Sequence, residues 1–293
     1  LREGSLPARA AAMTFDDGYA DNETIALPIL RRHGLPATFF IATGFLDGGR
    51  MWNDTVIEAI RATRKDMLDL SGAGLAGLGR LPVASVADRR AAITQILGAA
   101  KYLPVRDRLL AVERVAGIAA VAPPDDLMMR SEQIRTLHAA GMEIGAHTVS
   151  HPILAGLAAA EVRAEVGDGR QRLQALTQSP VTLFAYPNGR PGQDYDEGAV
   201  RLVREMGFEA AVSTAWGAAG ASSDLYQLPR FTPWDRSRTR FGLRLARNLM
   251  LPPRVVEDEG AEGCRRAYLP PAEQRPQASS PSDWLGEERG HVR

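Results

Sequence analysis

The sequence predicts an α/β fold, a parallel sheet or a βα barrel rather than a sandwich or a helix bundle, and two observations carry the prediction. Short apolar runs bounded by glycine or polar turns alternate with stretches of helical periodicity. The residues able to do chemistry fall at the ends of those runs, where parallel βα folds place their sites.

Residues 10–15 read AAAMTF and stop at Asp16-Asp17-Gly18, the pattern of a buried strand entering a turn. Asp21 or Asn22 can cap a helix that runs to about His33 and stops at Gly34. Pro28 must then lie near its start or kink it. Residues 37–42, ATFFIA, are a second strand, which completes a βαβ unit. Between Gly44 and Met128 the alternation lapses. Helical periodicity over 56–62, 88–100 and 105–116, with Gly72, Gly74, Gly77 and Gly79 in between, predicts a largely helical insertion over about residues 45–128.

The alternation then resumes with a helix over 131–140, whose start at Ser131 approaches a capping box, and a strand over 142–146 that ends at His147. A helix over 158–176, a strand over 181–186, a helix over 197–206 and a strand over 208–214 follow, with a late strand at 226–230. Residues 1–235 are expected as the main domain, 236–250 as a basic amphipathic helix, and 251–293 as a disordered tail rich in Pro, Glu, Gln, Ser and Arg.

Composition narrows the function. The 35 basic side chains balance 35 acidic ones, with a pI near 7.2, so nothing marks the chain for nucleic acid or an anionic lipid surface. Cys264 is the only cysteine, which excludes an internal disulfide and a cysteine-rich zinc site and fits a reducing compartment. No apolar run approaches the length of a membrane span, and no leader is visible. A cytoplasmic location is expected on that basis. The chain opens at Leu1 with residues that read like a helix end, so a preceding segment is also expected.

Three clusters carry the chemistry. In Thr14-Phe15-Asp16-Asp17-Gly18-Tyr19 two adjacent aspartates can serve one site only where the strand ends, and Gly18 allows that turn. The bland alternative is an exposed turn. In His147-Thr148-Val149-Ser150-His151 the four-residue spacing puts both imidazoles on one face of a helical turn, as metal ligation needs; one core and one capping histidine is the alternative. Two imidazoles and Asp17 make a three-ligand set with open positions, and Asp16 stays beside it to take a proton from water. That is the arrangement of metal-assisted hydrolysis. In Phe184-Ala185-Tyr186-Pro187-Asn188-Gly189 a strand runs into a tight turn whose N–H groups can stabilise an oxyanion.

TFDDGY, HTVSH and FAYPNG, in that order, resemble the polysaccharide deacetylase family, also called the NodB-homology domain or carbohydrate esterase family four, over about residues 10–232. The resemblance implies a distorted (β/α) barrel of about seven strands and removal of N-acetyl groups from an N-acetylated saccharide. It implies Asp16 as general base, and Asp17, His147 and His151 as ligands of a divalent metal, zinc first, with cobalt, nickel or iron(II) as alternatives. It also implies the main-chain N–H of Asn188 at the oxyanion.

Two family positions differ. An arginine commonly precedes the proline of the third motif by two residues, and Ala185 stands there. A late Leu-x-His commonly supplies the acid, and this chain reads Leu228-Pro229-Arg230. Those features resemble the exopolysaccharide and poly-N-acetylglucosamine branch, in which an upstream Tyr-His segment looks like the source of the acid. Arg230 is the candidate to pair with Asp16, Tyr186 and Trp216 are candidate substrate contacts, and Trp52 is a candidate sugar-stacking ring. A deformylase on the same fold, a saccharide-binding barrel without turnover and an oxygenase are the competing readings.

Overall fold

A computed structural model describes residues 10–231, 235 and 237–250; the tail expected over 251–293 lies outside them. The described residues divide into two compact units, 10–49 with 126–250, and 50–125.

The first unit opens with β1 (Thr14–Phe15), far shorter than the apolar run that predicts it. Thr14 and Phe15 stand opposite Thr38 and Phe39, and the Met13 carbonyl accepts the Thr38 N–H at 3.0 Å. A π-helical turn, Asn22–Ala26, leads into α1 (Leu27–His33). Pro28 has no N–H and its ring crowds the turn before it, so one expected helix becomes a wide turn followed by a tight one. Gly34, at φ 62°, ends α1 by donating to the carbonyls of Leu30 and Arg31. After β2 (Thr38–Ile41) a 3-10 turn, Thr43–Phe45, closes the strand.

The second unit holds α2 (Trp52–Ala62), β3 (Met67–Asp69), β4 (Arg80–Pro82), α3 (Val86–Ala100) and α4 (Val105–Ala119). Its core gathers Val56, Ile60, Leu68, Ile96, Val112 and Val115. The three helices match the periodicity. The antiparallel hairpin of β3 and β4 was not expected, and the glycine-punctuated stretch is its connection. Each strand shows one buried residue between two exposed ones, Leu68 and Leu81, too short a pattern to reveal a period of two.

The chain then returns to the first unit through α5 (Ser131–Ala139), β5 (Glu143–Ala146), α6 (Ala159–Thr177), β6 (Leu183–Ala185), α7 (Glu197–Glu205), β7 (Ala210–Trp216), β8 (Leu228–Arg230) and α8 (Arg238–Met250). The cap of α5 falls one residue earlier than expected: Gln133 accepts the N–H of Arg130, and Ser131 donates its N–H and hydroxyl to Asp47.

Six strands form one parallel sheet in the order β1-β2-β5-β6-β7-β8, one fewer than the expected seven among the described residues. Phe39, Ile41, Ile144 and Phe184 lie in its core with Leu137, Val166 and Phe208. A flat sheet would hold its outer strands about 24 Å apart, five spacings of strand pairing. Here Arg230 at the end of β8 donates to Thr14 on β1 at 2.9 Å, so the sheet curls until its edges meet through side chains. The result is a distorted, incompletely closed (β/α) barrel. No described helix is long and apolar enough to cross a membrane.

Candidate metal centre and active site

The end of β1 turns through two consecutive left-handed residues, Asp17 at φ 74° and Gly18 at φ 93°. A Cβ on Gly18 would stand 3.1 Å from the Ile41 side chain, so both the backbone angle and the space call for glycine. Asp17 carries the strain of a side chain in that region, which the surroundings enforce: its carbonyl accepts Ala42 N–H at 3.1 Å, and the Gly18 carbonyl accepts Met129 N–H at 2.9 Å.

The turn sends the two aspartates apart. Asp17 Oδ1 lies 3.3 Å from His147 Nε2 and 3.4 Å from His151 Nε2. His147 follows β5 directly and is buried, and its Nδ1 lies 2.7 Å from the Ala185 carbonyl of β6. That bond places the proton on Nδ1 and leaves the Nε2 lone pair facing Asp17.

The two histidines meet without the helical turn expected between them. Thr148 at φ 67° and His151 at φ 53° are left-handed, which breaks any helix across HTVSH. Instead Thr148 Oγ1 accepts His151 N–H at 3.1 Å and brings the second imidazole back toward the first. The rings stand 4.9 Å apart at 66°.

The donor set fits a divalent cation. The three donor atoms lie within 4.8 Å of one another. Ligand atoms on a tetrahedral zinc, with bonds of about 2.0–2.1 Å, stand about 3.3 Å apart, close to both Asp17–His separations. Electrostatics agrees. Burial alone would raise the Asp17 pKa, but a His147 protonated on Nε2 as well donates to it, and that bond with the charges of His151, His147 and Arg230 holds it below the usual carboxylate range. Burial would lower the His147 pKa, yet the Asp17 hydrogen bond, the Asp16 and Asp17 charges and the Ala185 carbonyl raise it. The cluster favours positive charge at its centre.

Asp16 faces the other way. Arg230 grips it with both ends, Nη1 to Oδ1 at 2.9 Å and Nη2 to Oδ2 at 2.8 Å. Arg230 is itself fixed, because Nε donates to the Ser213 carbonyl at 3.0 Å and Nη1 also reaches Thr14 Oγ1. Ser213 lies in the register shift of β7 between Val212, opposite Leu228, and Trp216, opposite Arg230. The irregularity interrupts the ladder there and aims Arg230 across the barrel mouth. Ala185, where the family resemblance implies an arginine, is fully buried in β6.

The third motif forms the expected turn, with Asn188 at φ 58° and Gly189 at φ 73°. Thr214 pins it, donating its N–H to the Gly189 carbonyl and its hydroxyl to the Asn188 carbonyl, each at 2.8 Å. Asn188 is exposed, and its N–H meets no acceptor among the described residues. Tyr186 departs from the expectation of a substrate contact. It is buried, stacks on Tyr195 at 3.9 Å and spends its hydroxyl on the Tyr226 carbonyl, and burial pushes its pKa up. Alternation along the strand end turns it into the core.

Trp216 is half-buried at the end of β7, edge-on to Phe231 and beneath Arg244 at 5.7 Å. Trp52 belongs to the second unit, where the Arg108 guanidinium lies 4.9 Å over its ring. His138 Nε2 meets Ser179 Oγ at 3.1 Å on α5, and His33 sits exposed in the last turn of α1. His291 lies outside the described residues. Sequence reasoning missed Glu165, whose carboxylate accepts the N–H groups of Val149 and Ser150. One acid among several on α6 gives no signal of its own.

Comparison with known proteins bears on this geometry. The family model for polysaccharide deacetylases matches residues 3–73 and 107–211, together more than half of the chain. YxkH of Bacillus subtilis (strain 168), whose name places it among the polysaccharide deacetylases, is 28% identical over 99 residues, which span 34% of this chain and 34% of that protein. The matched stretch is thus about a third of that relative. Among solved structures, the Streptococcus pyogenes deacetylase PplD in complex with acetate shares the fold with a TM-score of 0.52 and 18% identity, over 84% of this chain and 74% of that one. IcaB from Ammonifex degensii aligns over 82% of this chain and 73% of its own, with a TM-score of 0.49 and 17% identity. With the three ordered motifs converging at one barrel mouth and the family model spanning most of the barrel, the chain belongs to the polysaccharide deacetylase family.

Proposed function

We propose that the chain is a metal-dependent hydrolase that removes N-acetyl groups from amino-sugar residues of a polysaccharide or oligosaccharide, in exopolysaccharide formation. The observation that carries this reading is the division of labour between neighbours, Asp17 with two imidazoles and Asp16 with Arg230. Asp17, His147 and His151 would hold the cation, zinc being the best match to two nitrogens and one oxygen. Bound there, a divalent cation supplies Lewis acidity to water and to the amide carbonyl. Asp16 takes the proton of the attacking water, and Arg230 keeps its carboxylate oriented. The Asn188 N–H donates to the oxyanion that develops on the acetyl carbonyl. Trp216 offers an apolar wall to the acetyl methyl.

The test is acetate release from N-acetylglucosamine oligomers by zinc-loaded protein, run beside Asp16→Asn. The variant should lose at least about 10²-fold in rate, the low end for removing a general base, while its zinc content stays at the wild-type level. Asp17→Ala and His147→Ala should instead lose the zinc. Metal that survives both substitutions would overturn the ligand assignment, and equal acetate release by Asp16→Asn would overturn the role of the base.

A further inference from the structure

The metal reading requires the two histidines to stay in register with Asp17, yet the segment between them follows a path that its backbone resists, with the bond from His151 N–H to Thr148 Oγ1 as its own support. Thr148 and His151 both occupy the left-handed region that residues with a Cβ resist. Something outside the loop must impose that path. We propose that Glu165 is the positioning residue that does so, clamping residues 148–150 from α6; the proposal rests on the metal reading above.

Glu165 accepts three donors from the loop: Val149 N–H at 3.0 Å and Ser150 N–H at 2.8 Å on Oε2, and the Ser150 hydroxyl at 2.6 Å on Oε1. Hydrogen bonds to an ionised carboxylate are about twice as strong as neutral ones, and here three converge on one group. One turn further along α6, Gly169 lets the helix approach so closely that a Cβ would stand 2.9 Å from the Thr148 carbonyl oxygen. Arg172 follows on the same face, donating to the Thr43 carbonyl and to Asp47 at 2.9 Å each.

The opposite side of the loop is held as well. Thr43 and Gly44, just after β2, donate their N–H groups to the Thr148 and Val149 carbonyls at 3.1 and 2.8 Å. A Cβ on Gly44 would come within 2.7 Å of that Val149 oxygen. The backbone of 148–149 is therefore gripped between a carboxylate on one side and two N–H donors on the other. Glu165 touches neither imidazole, so its effect on the metal passes through the loop.

The experiment titrates the full chain with cobalt(II), read by its visible absorption, and with zinc against a chelator. Wild type is compared with Glu165→Ala, Glu165→Gln, Ser150→Ala and Asp17→Ala, and thermal unfolding of each metal-free protein is followed in parallel. Glu165→Ala should bind about 10- to 100-fold more weakly, with an altered cobalt spectrum, as outer-sphere substitutions do. Glu165→Gln should stay within about threefold, because its amide oxygen still accepts both N–H groups. Ser150→Ala, which loses one of three bonds, should fall between them.

A Glu165→Ala protein that binds cobalt as tightly as wild type, while Asp17→Ala does not bind, overturns the clamp and leaves the metal reading standing. A wild type that takes up no cobalt overturns both. If Glu165→Ala does not fold, an unchanged affinity in Ser150→Ala overturns the proposal.

Discussion

Asp16 and Arg230 show how much one pair of side chains settles. A guanidinium that meets both carboxylate oxygens fixes the carboxylate plane, which a point-charge ammonium does not. Arg230→Lys should therefore keep zinc content and fold but lose about tenfold in kcat, and Arg230→Met about 10²-fold, with KM changing less than kcat. Steady-state kinetics on an N-acetylglucosamine oligomer, with zinc assayed in each sample, checks it. The clustering of Asp17, His147 and His151 beside Asp16 was legible because the motifs themselves supply those residues. Arg230 was legible as a candidate, since it ends the late strand while Ala185 stands where the resemblance implies the arginine of the third motif. Tyr186 was not, because a tyrosine in a turn motif gives no sign of which way it faces, and the packing against Tyr195 decides it.

Among the elements, the turns specify more than the strands. Gly44→Ala drives a methyl into the Val149 carbonyl and should cost about 1–3 kcal/mol, read from the urea midpoint. Asp47 ties the turn after β2 to the start of α5. Hydrogen bonds from the Ser131 hydroxyl and N–H, with burial opposing them and Arg172 adding its charge, hold its carboxyl below the usual range. A depressed folded-state pKa stabilises above the unfolded value and is lost as pH falls through the folded value. Wild type should thus exceed Asp47→Asn in stability at pH 7, and the gap should close below about pH 4. Urea unfolding at several pH values measures it. Long helices were legible from periodicity, and α3, α4 and α6 fall within three residues of their expected bounds. The hairpin of β3 and β4 was not, because strands of three residues carry too little pattern. The path between His147 and His151 was misread as helical, since spacing alone cannot show that Thr148 and His151 are left-handed.

For the molecule as a whole, two separate apolar cores imply two sources of stability. Ile96 is fully buried in the second unit, and Ile96→Ala should cost about 2–5 kcal/mol there. Zinc affinity should remain within about twofold of wild type, because every ligand belongs to the first unit; calorimetry and zinc competition on one sample test both. The alternation of strands and helices made the parallel sheet legible. Its curl was not, because closure depends on Arg230 meeting Thr14 across more than two hundred residues of chain, a distance in sequence that no local pattern encodes.

That meeting of edges by side chains leaves, among the described residues, two strand borders unpaired by a further strand, the usual template on which a foreign chain assembles. β1 offers only two residues and β8 only three, of which Pro229 has no N–H to give. The open seam is thus too short and too poor in donors to recruit another strand. Among the described residues, the seam is therefore a poor nucleus for aggregation.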